Sequence, residues 1–268
     1  MPSLEILGYR VSGAGLESDV ATVHGWIESG VRGRYFACLN PHSVAVASRD
    51  PLFRESLRAA DLLVADGAGV LLAAKLFGVP IPRRITGSDL FAALTAAASW
   101  RPGTRFFFLG SNAEVLDRIG KRMRREFPSI VVCGSYSPPY ADSFSEEETR
   151  RMVEAVNAAR PDVLWVGMTA PKQEKWIFRN RERLMVPCIG AVGAVFDFYA
   201  GTKRRSPAIW QKLGLEWLHR LLQEPARMWR RNFVSTPRFL GTVVRELLRI
   251  KLRSRRNCQA GEAKLRRR

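Results

Sequence analysis

The sequence is poor in cysteine and histidine, and the few it has are badly spaced for metal or redox work. Its four cysteines, Cys38, Cys133, Cys188 and Cys258, stand far apart and form no C-x-x-C pair. That excludes a zinc knuckle and a disulfide framework, and predicts a reducing cytoplasm. His24, His42 and His219 show no ligand spacing, so each reads as a surface or hydrogen-bonding residue. No apolar run approaches the roughly 18 residues that suggest a membrane-spanning helix. Met1 to Gly15 has neither the charged start nor the long apolar core of a secretory leader. Also missing are a G-x-G-x-x-G after a first strand, a Walker G-x-x-x-x-G-K-[ST] and a G-x-S-x-G turn. Dinucleotide oxidoreduction, P-loop hydrolysis and serine acyl transfer thus lack their signatures. No Asp-x-Asp pair is available to hold a divalent metal beside a nucleotide diphosphate.

Acidic residues are scarce in one region only. Residues 201–268 carry 19 Lys and Arg against 4 Asp and Glu, whereas residues 1–200 carry 24 against 21. A nearly neutral body with a basic tail points to phosphate, nucleic acid or an anionic membrane surface as partner.

What the body does have is alternation. "RYFACLN" (34–40), "DLLVA" (61–65), "RFFFLG" (105–110), "SIVVCGS" (129–135), "DVLWVG" (162–167) and "VPCIGAV" (186–192) predict strands buried on both faces. Helical patterns lie between them, near 41–59, 68–78, 88–99, 112–127, 145–160 and 171–184. Ser145 and Glu148 have capping-box spacing, and Pro161 disfavours a helical Arg160. The expected fold is α/β: a Rossmann-like, mostly parallel sheet with helices on both faces. After residue 200 the strands cease and two or three basic helices follow, with Pro225 and Pro237 at their starts or connections. The expected organisation is a catalytic domain over 1–200, a basic helical appendage over 201–256 and a disordered tail over 257–268.

Five strand ends carry polar or glycine-rich turns: "CLNPHS", "ADGAG", "LGSNAE", "GMTAPKQE" and "GAVGAVFDF". On one edge of a parallel sheet they line a single crevice. Asp66, in the second turn, admits two readings from its position alone. It caps the following helix, or it supplies a carboxylate where α/β proteins keep their chemistry. A diphosphate bound in this crevice needs arginines, and the tail offers them.

Taken together, "LNPHSVAVASRDPLFRESLRAADLLVADGAGV", "PRRITGSDLF", "FFLGSNAEVLDRI", "APKQEKWI", "GAVGAVFDFYAGTKRRSP" and "LGLEWLHRLLQEPARMWRR" resemble, in this order, the WecG/TagA/CpsF glycosyltransferases. The likeness covers about residues 4 to 235. It implies transfer of a sugar from a UDP-sugar to an undecaprenyl-diphosphate-linked saccharide, with inversion, for cell-surface polymers such as teichoic acid or exopolysaccharide. It also implies no cofactor and no bound metal, and a peripheral position on the inner face of the bacterial membrane; it allows dimers or trimers without fixing the oligomeric state. Carried over residue by residue, the general base is Asp66. The substrate-binding residues are Asn40 and Gln173, with Arg84 and Asp89 of "RRITGSDL" in a further family motif. Arg220, Arg227 and Arg230 close over the diphosphate. One departure is Cys38, where family members often carry Thr. A thiol is a weak donor, which bears on the identity of the sugar.

The resemblance gives the tail a second task, docking at an anionic leaflet through basic residues and the interleaved Trp229, Phe233, Phe239 and Leu240. The rival reading is a non-enzymatic basic module that binds nucleic acid or membrane. Against nucleic acid, the basic residues cluster outside the sheet domain, whose turns offer few aromatics for base stacking.

Overall fold

The computed structural model describes residues 3–265, apart from 205, 208, 211–215 and 224; the side chains of 3, 216, 220, 226, 227, 230–232, 251 and 253–265 also lie outside the description. The chain opens with a hairpin, β1 (Ser3–Ile6) and β2 (Tyr9–Ser12). Its two-residue turn has positive φ at both Leu7 and Gly8, which matches the twist of the flanking strands. Helix α1 (Leu16–Ser29) leads into the main sheet.

All six predicted strands are present: β3 (Arg34–Leu39), β4 (Leu62–Ala65), β5 (Arg105–Leu109), β6 (Val131–Tyr136), β7 (Val163–Val166) and β8 (Cys188–Ala191). They form one wholly parallel sheet in the order β4-β3-β8-β7-β5-β6. Between them run α2 (Pro41–Ala47), α3 (Pro51–Arg58), α4 (Ala68–Leu76), α5 (Gly87–Ser99), α6 (Ala113–Glu126), α7 (Glu146–Ala159) and α8 (Lys172–Asn180). Strand side chains alternate between faces, and each face has its own core. Tyr35, Ala37, Leu39 and Leu164 meet Phe53 and Leu57 of α3, Met152 and Val156 of α7, and Ile177 of α8. Phe36, Val64, Phe106 and Trp165 meet Leu90 and Phe91 of α5 and Ile119 and Met123 of α6.

Three elements differ from expectation. The stretch 41–59 is two helices, because Asp50 takes the Phe53 N–H at 3.0 Å and Pro51 starts a new helix. Strand β6 is an edge strand with half-exposed residues, not one buried on both faces. "GAVGAVFDF" is only partly a turn, since α9 (Val195–Ala200) begins within it.

Beyond the sheet lie α10 (Glu216–Gln223), α11 (Pro225–Trp229), a π-helical turn (Arg230–Ser235) and α12 (Thr236–Leu265). Pro225 opens α11 and Pro237 is the second residue of α12, both positions that tolerate a missing N–H. Phe239 and Val243, four residues apart, bury themselves in the α2–α4 core. No helix among the described residues is long and apolar enough to cross a membrane.

Candidate functional site

A wholly parallel sheet places the turns after β3, β4, β5, β7 and β8 on one edge. At β5 and β7 the connections diverge, α6 packing on one face and α8 on the other. Divergence of this kind opens a crevice at the strand ends. There the backbones of Gly110 and Gly167 approach so closely that a Cβ on Gly110 would come within 2.9 Å of the Gly167 carbonyl.

Asp66 stands one residue past β4, where its N–H donates to Leu39 O at 2.8 Å. The cap of α4 is Gly67, at φ 101°, with no side-chain hydrogen bond. The cap position of α4 thus belongs to Gly67, and Asp66 stands one residue ahead of it. Gly67 and Gly69 let this turn press on its neighbour. A Cβ at Gly67 would lie 3.3 Å from Pro41 Cδ, and one at Gly69 only 2.7 Å from Pro41 Cγ. Asn40 is thus fixed beside Asp66. Its Oδ1 accepts the Ser43 N–H at 2.9 Å while its own N–H donates to Ser43 Oγ at 2.7 Å. With Oδ1 committed to this cap, the group Asn40 can offer a ligand is its Nδ2 donor pair.

The segment Arg84–Thr86 runs along the end of β4, where Ile85 N–H donates to Ala65 O at 3.0 Å. Thr86 and Asp89 form a reciprocal cap for α5, at 3.1 and 2.9 Å. Arg84 and Asp89, with Leu16, Arg83 and Ile85, line an open cavity of about 500 Å³. Gly87 then brings α5 against Cys38, whose sulfur lies 3.5 Å from where a Gly87 Cβ would be and accepts the Gly87 N–H. Burial first, then the carboxylates of Asp66, Glu174 and Asp89, push the Cys38 thiol well above its ordinary range. The thiol stays protonated among three acids.

The first turn of α8 distributes its side chains in different directions. Lys172 Nζ donates to Ala141 O at 2.6 Å, and Lys175 pairs with Asp50 at 2.9 Å. Gln173 and Glu174 point inward, each 4% exposed, with Gln173 Nε2 donating to Glu174 Oε1 at 2.8 Å. The Gln173 carboxamide lies against Gly193 in the turn after β8. Burial pushes Glu174 up to about 7. Sequence reasoning missed Glu174, although it follows Gln173 in the same motif and precedes Ile177, a core residue, by three.

Of the site residues expected from the sequence, Cys38, Asn40, Asp66, Arg84, Asp89 and Gln173 all belong to this edge. The side chains of Arg220, Arg227 and Arg230 lie outside the described residues. The helices that carry them reach the site through α2: His42 Nδ1 is 2.8 Å from Ser235 Oγ, and a Cβ on Gly69 would lie 3.4 Å from the Phe239 ring. Phe239 is thus a correction, buried in the core rather than turned to an interface. Trp229, Phe233 and Leu240 are exposed, as are Trp217 and Leu222.

Residues 4–253 match the Glycosyl transferase WecG/TagA/CpsF family. Among similar proteins are the N-acetylglucosaminyldiphosphoundecaprenol N-acetyl-beta-D-mannosaminyltransferases of Bacillus spizizenii and Staphylococcus aureus. The first is 32% identical over 214 residues, covering 80% of each chain. The second is 30% identical over 217 residues, covering 81% of this chain and 82% of the relative.

Proposed function

Since the chain belongs to the WecG/TagA/CpsF glycosyl transferase family, we propose that it moves N-acetylmannosamine or another hexose from a UDP-sugar to an undecaprenyl-diphosphate-linked saccharide. Anomeric configuration inverts, and no bound metal takes part. The names of the relatives support the lipid-linked acceptor and the transferred sugar. The observation that carries the chemistry is Asp66, set one residue past the end of β4 at the sheet edge, where its carboxylate acts on the Cys38 thiol beside Asn40.

Inverting transfer needs a base for the acceptor hydroxyl and stabilisation for the departing diphosphate. Asp66 accepts the hydroxyl proton as its oxygen attacks the anomeric carbon. Guanidinium forks of Arg84 and of Arg220, Arg227 and Arg230 stabilise the leaving UDP by charge-assisted bonds to phosphate oxygens. The absence of an Asp-x-Asp pair in the sequence supports arginine in this role. Asn40 Nδ2, Gln173 and the cavity beside Arg84 and Asp89 hold the sugars.

The acceptor's prenyl chain remains in the bilayer, so the enzyme works as a peripheral protein on the inner leaflet. The basic tail and the exposed Trp229, Phe233 and Leu240 support docking there. The test is a UDP-release screen of the full chain across nucleotide sugars with a short-chain prenyl-diphosphate saccharide. Release that requires both substrates is the expected result. No release with any donor removes the proposal.

A further inference from the structure

The crevice holds a carboxyl that the chemistry above does not use. Glu174 is 4% exposed in the first turn of α8. Its Oε1 accepts Gln173 Nε2 at 2.8 Å, while its Oε2 and the Gln173 Oε1 are sealed from solvent without a hydrogen-bond partner among the described residues. Each such oxygen costs about 1–3 kcal/mol, so a pair of them side by side requires a reason. Helix packing does not supply one. The neighbours Lys172 and Lys175 already hold Ala141 and Asp50, and Trp176 and Ile177 supply the core contacts.

Position supplies the reason. The Gln173 carboxamide lies against the turn after β8, where a Cβ on Gly193 would be 3.4 Å from Oε1 and 3.5 Å from Nε2. Gly193 has φ +56°, and Met168 O from the β7 turn lies beside it. Two strand-end turns and the start of α8 therefore converge on one amide. An amide on an unrestrained side chain can rotate to present either its oxygen or its nitrogen. The ionised Glu174 carboxylate, which can only accept, holds Nε2 towards itself.

We propose that Glu174 is a positioning residue for sugar binding: it holds Gln173 Nε2, so that Oε1 faces the Gly193 turn and takes a hydroxyl or amide N–H of a bound sugar. This rests on the glycosyltransferase reading. Two groups of β3, the Tyr35 phenol and the Cys38 thiol, feel the Glu174 charge. Tyr35 donates its hydroxyl to Ser56 O, and Cys38 receives the Gly87 N–H. With burial as the dominant influence, the carboxyl titrates at about 7.

Two variants of the full chain separate the roles. Glu174→Gln keeps an acceptor for Gln173 but cannot ionise; Glu174→Leu removes the acceptor at similar volume. KM and kcat are measured separately for UDP-sugar and lipid-linked acceptor across neutral pH. Glu174→Leu is expected to raise KM for one sugar substrate about tenfold, the size of one lost hydrogen bond, with kcat within about threefold. Glu174→Gln is expected to keep the wild-type KM and to lose the inflection near 7 from its pH profile. A wild-type KM in Glu174→Leu, or equal damage in both variants, overturns the inference. If Glu174→Leu does not fold, an unchanged inflection in Glu174→Gln overturns it. A wild-type protein that transfers no sugar sinks the underlying reading instead.

Discussion

His42 Nδ1 and Ser235 Oγ lie 2.8 Å apart although 193 residues separate them. His42 is two residues beyond Asn40, so the bond fastens the site turn after β3 directly to the C-terminal helices. Phe239 makes a second fastening on the Asp66 side, against Gly69. The appendage and the crevice edge are therefore packed as neighbours.

Asp66→Asn keeps the size of the side chain and removes its basicity. The expected result is a loss of about 10²–10⁴ in turnover with the melting temperature within about 2 °C of wild type. Steady-state UDP release and a thermal melt check both halves. Retained turnover takes Asp66 out of the base role.

Phe239→Ala empties a site that is 2% exposed. Such truncations cost about 3–5 kcal/mol, and here the loss falls on the seating of α12. Hydrogen exchange should rise along α12 and in the first turns of α2 and α4, with the sheet strands unchanged. Uniform exchange changes across the sheet would mean that the helix is not seated separately.

Glu174 also carries a stability signature. Its carboxyl, ordinarily near 4.5, is raised to about 7 by burial. The folded protein thus binds a proton that the unfolded chain has released between those values, and wild-type stability falls as pH rises through that window. Relative to Glu174→Gln the fall amounts to roughly 3 kcal/mol. Denaturant melts of both proteins at pH near 4.5 and near 7.5 measure it; a constant difference contradicts the raised value.

Replacing Trp229, Phe233 and Leu240 together by Ser removes exposed apolar area and leaves charge unchanged. Co-sedimentation with anionic vesicles should weaken at least tenfold, and what remains should be lost as salt screens the basic residues. Undiminished binding by the triple variant would leave charge as the sole anchor.

The parallel sheet was legible because strands covered on both faces read as unbroken apolar runs, as in "RFFFLG" and "DVLWVG". The opening hairpin and α1 were not. The hairpin strands have four residues each, and α1 buries only Asp19 and Val23, too little for a helical stripe. Phe239 was misassigned because "RFLGTVV" is apolar on both helical faces. Only packing distinguishes buried Phe239 and Val243 from exposed Leu240 and Val244. The site was partly legible, since Asp66 follows an evident strand. Glu174 was hidden, because "KQEK" reads as a solvated face until the helix is turned against β3.

Gly69 deserves a last look for what its missing side chain permits. It marks a clearance between three parts of the chain: a Cβ there would stand 2.7 Å from Pro41 and 3.4 Å from Phe239. A single methyl group would meet Phe239 at ordinary contact distance but would drive into Pro41, forcing α4 and the site turn after β3 apart.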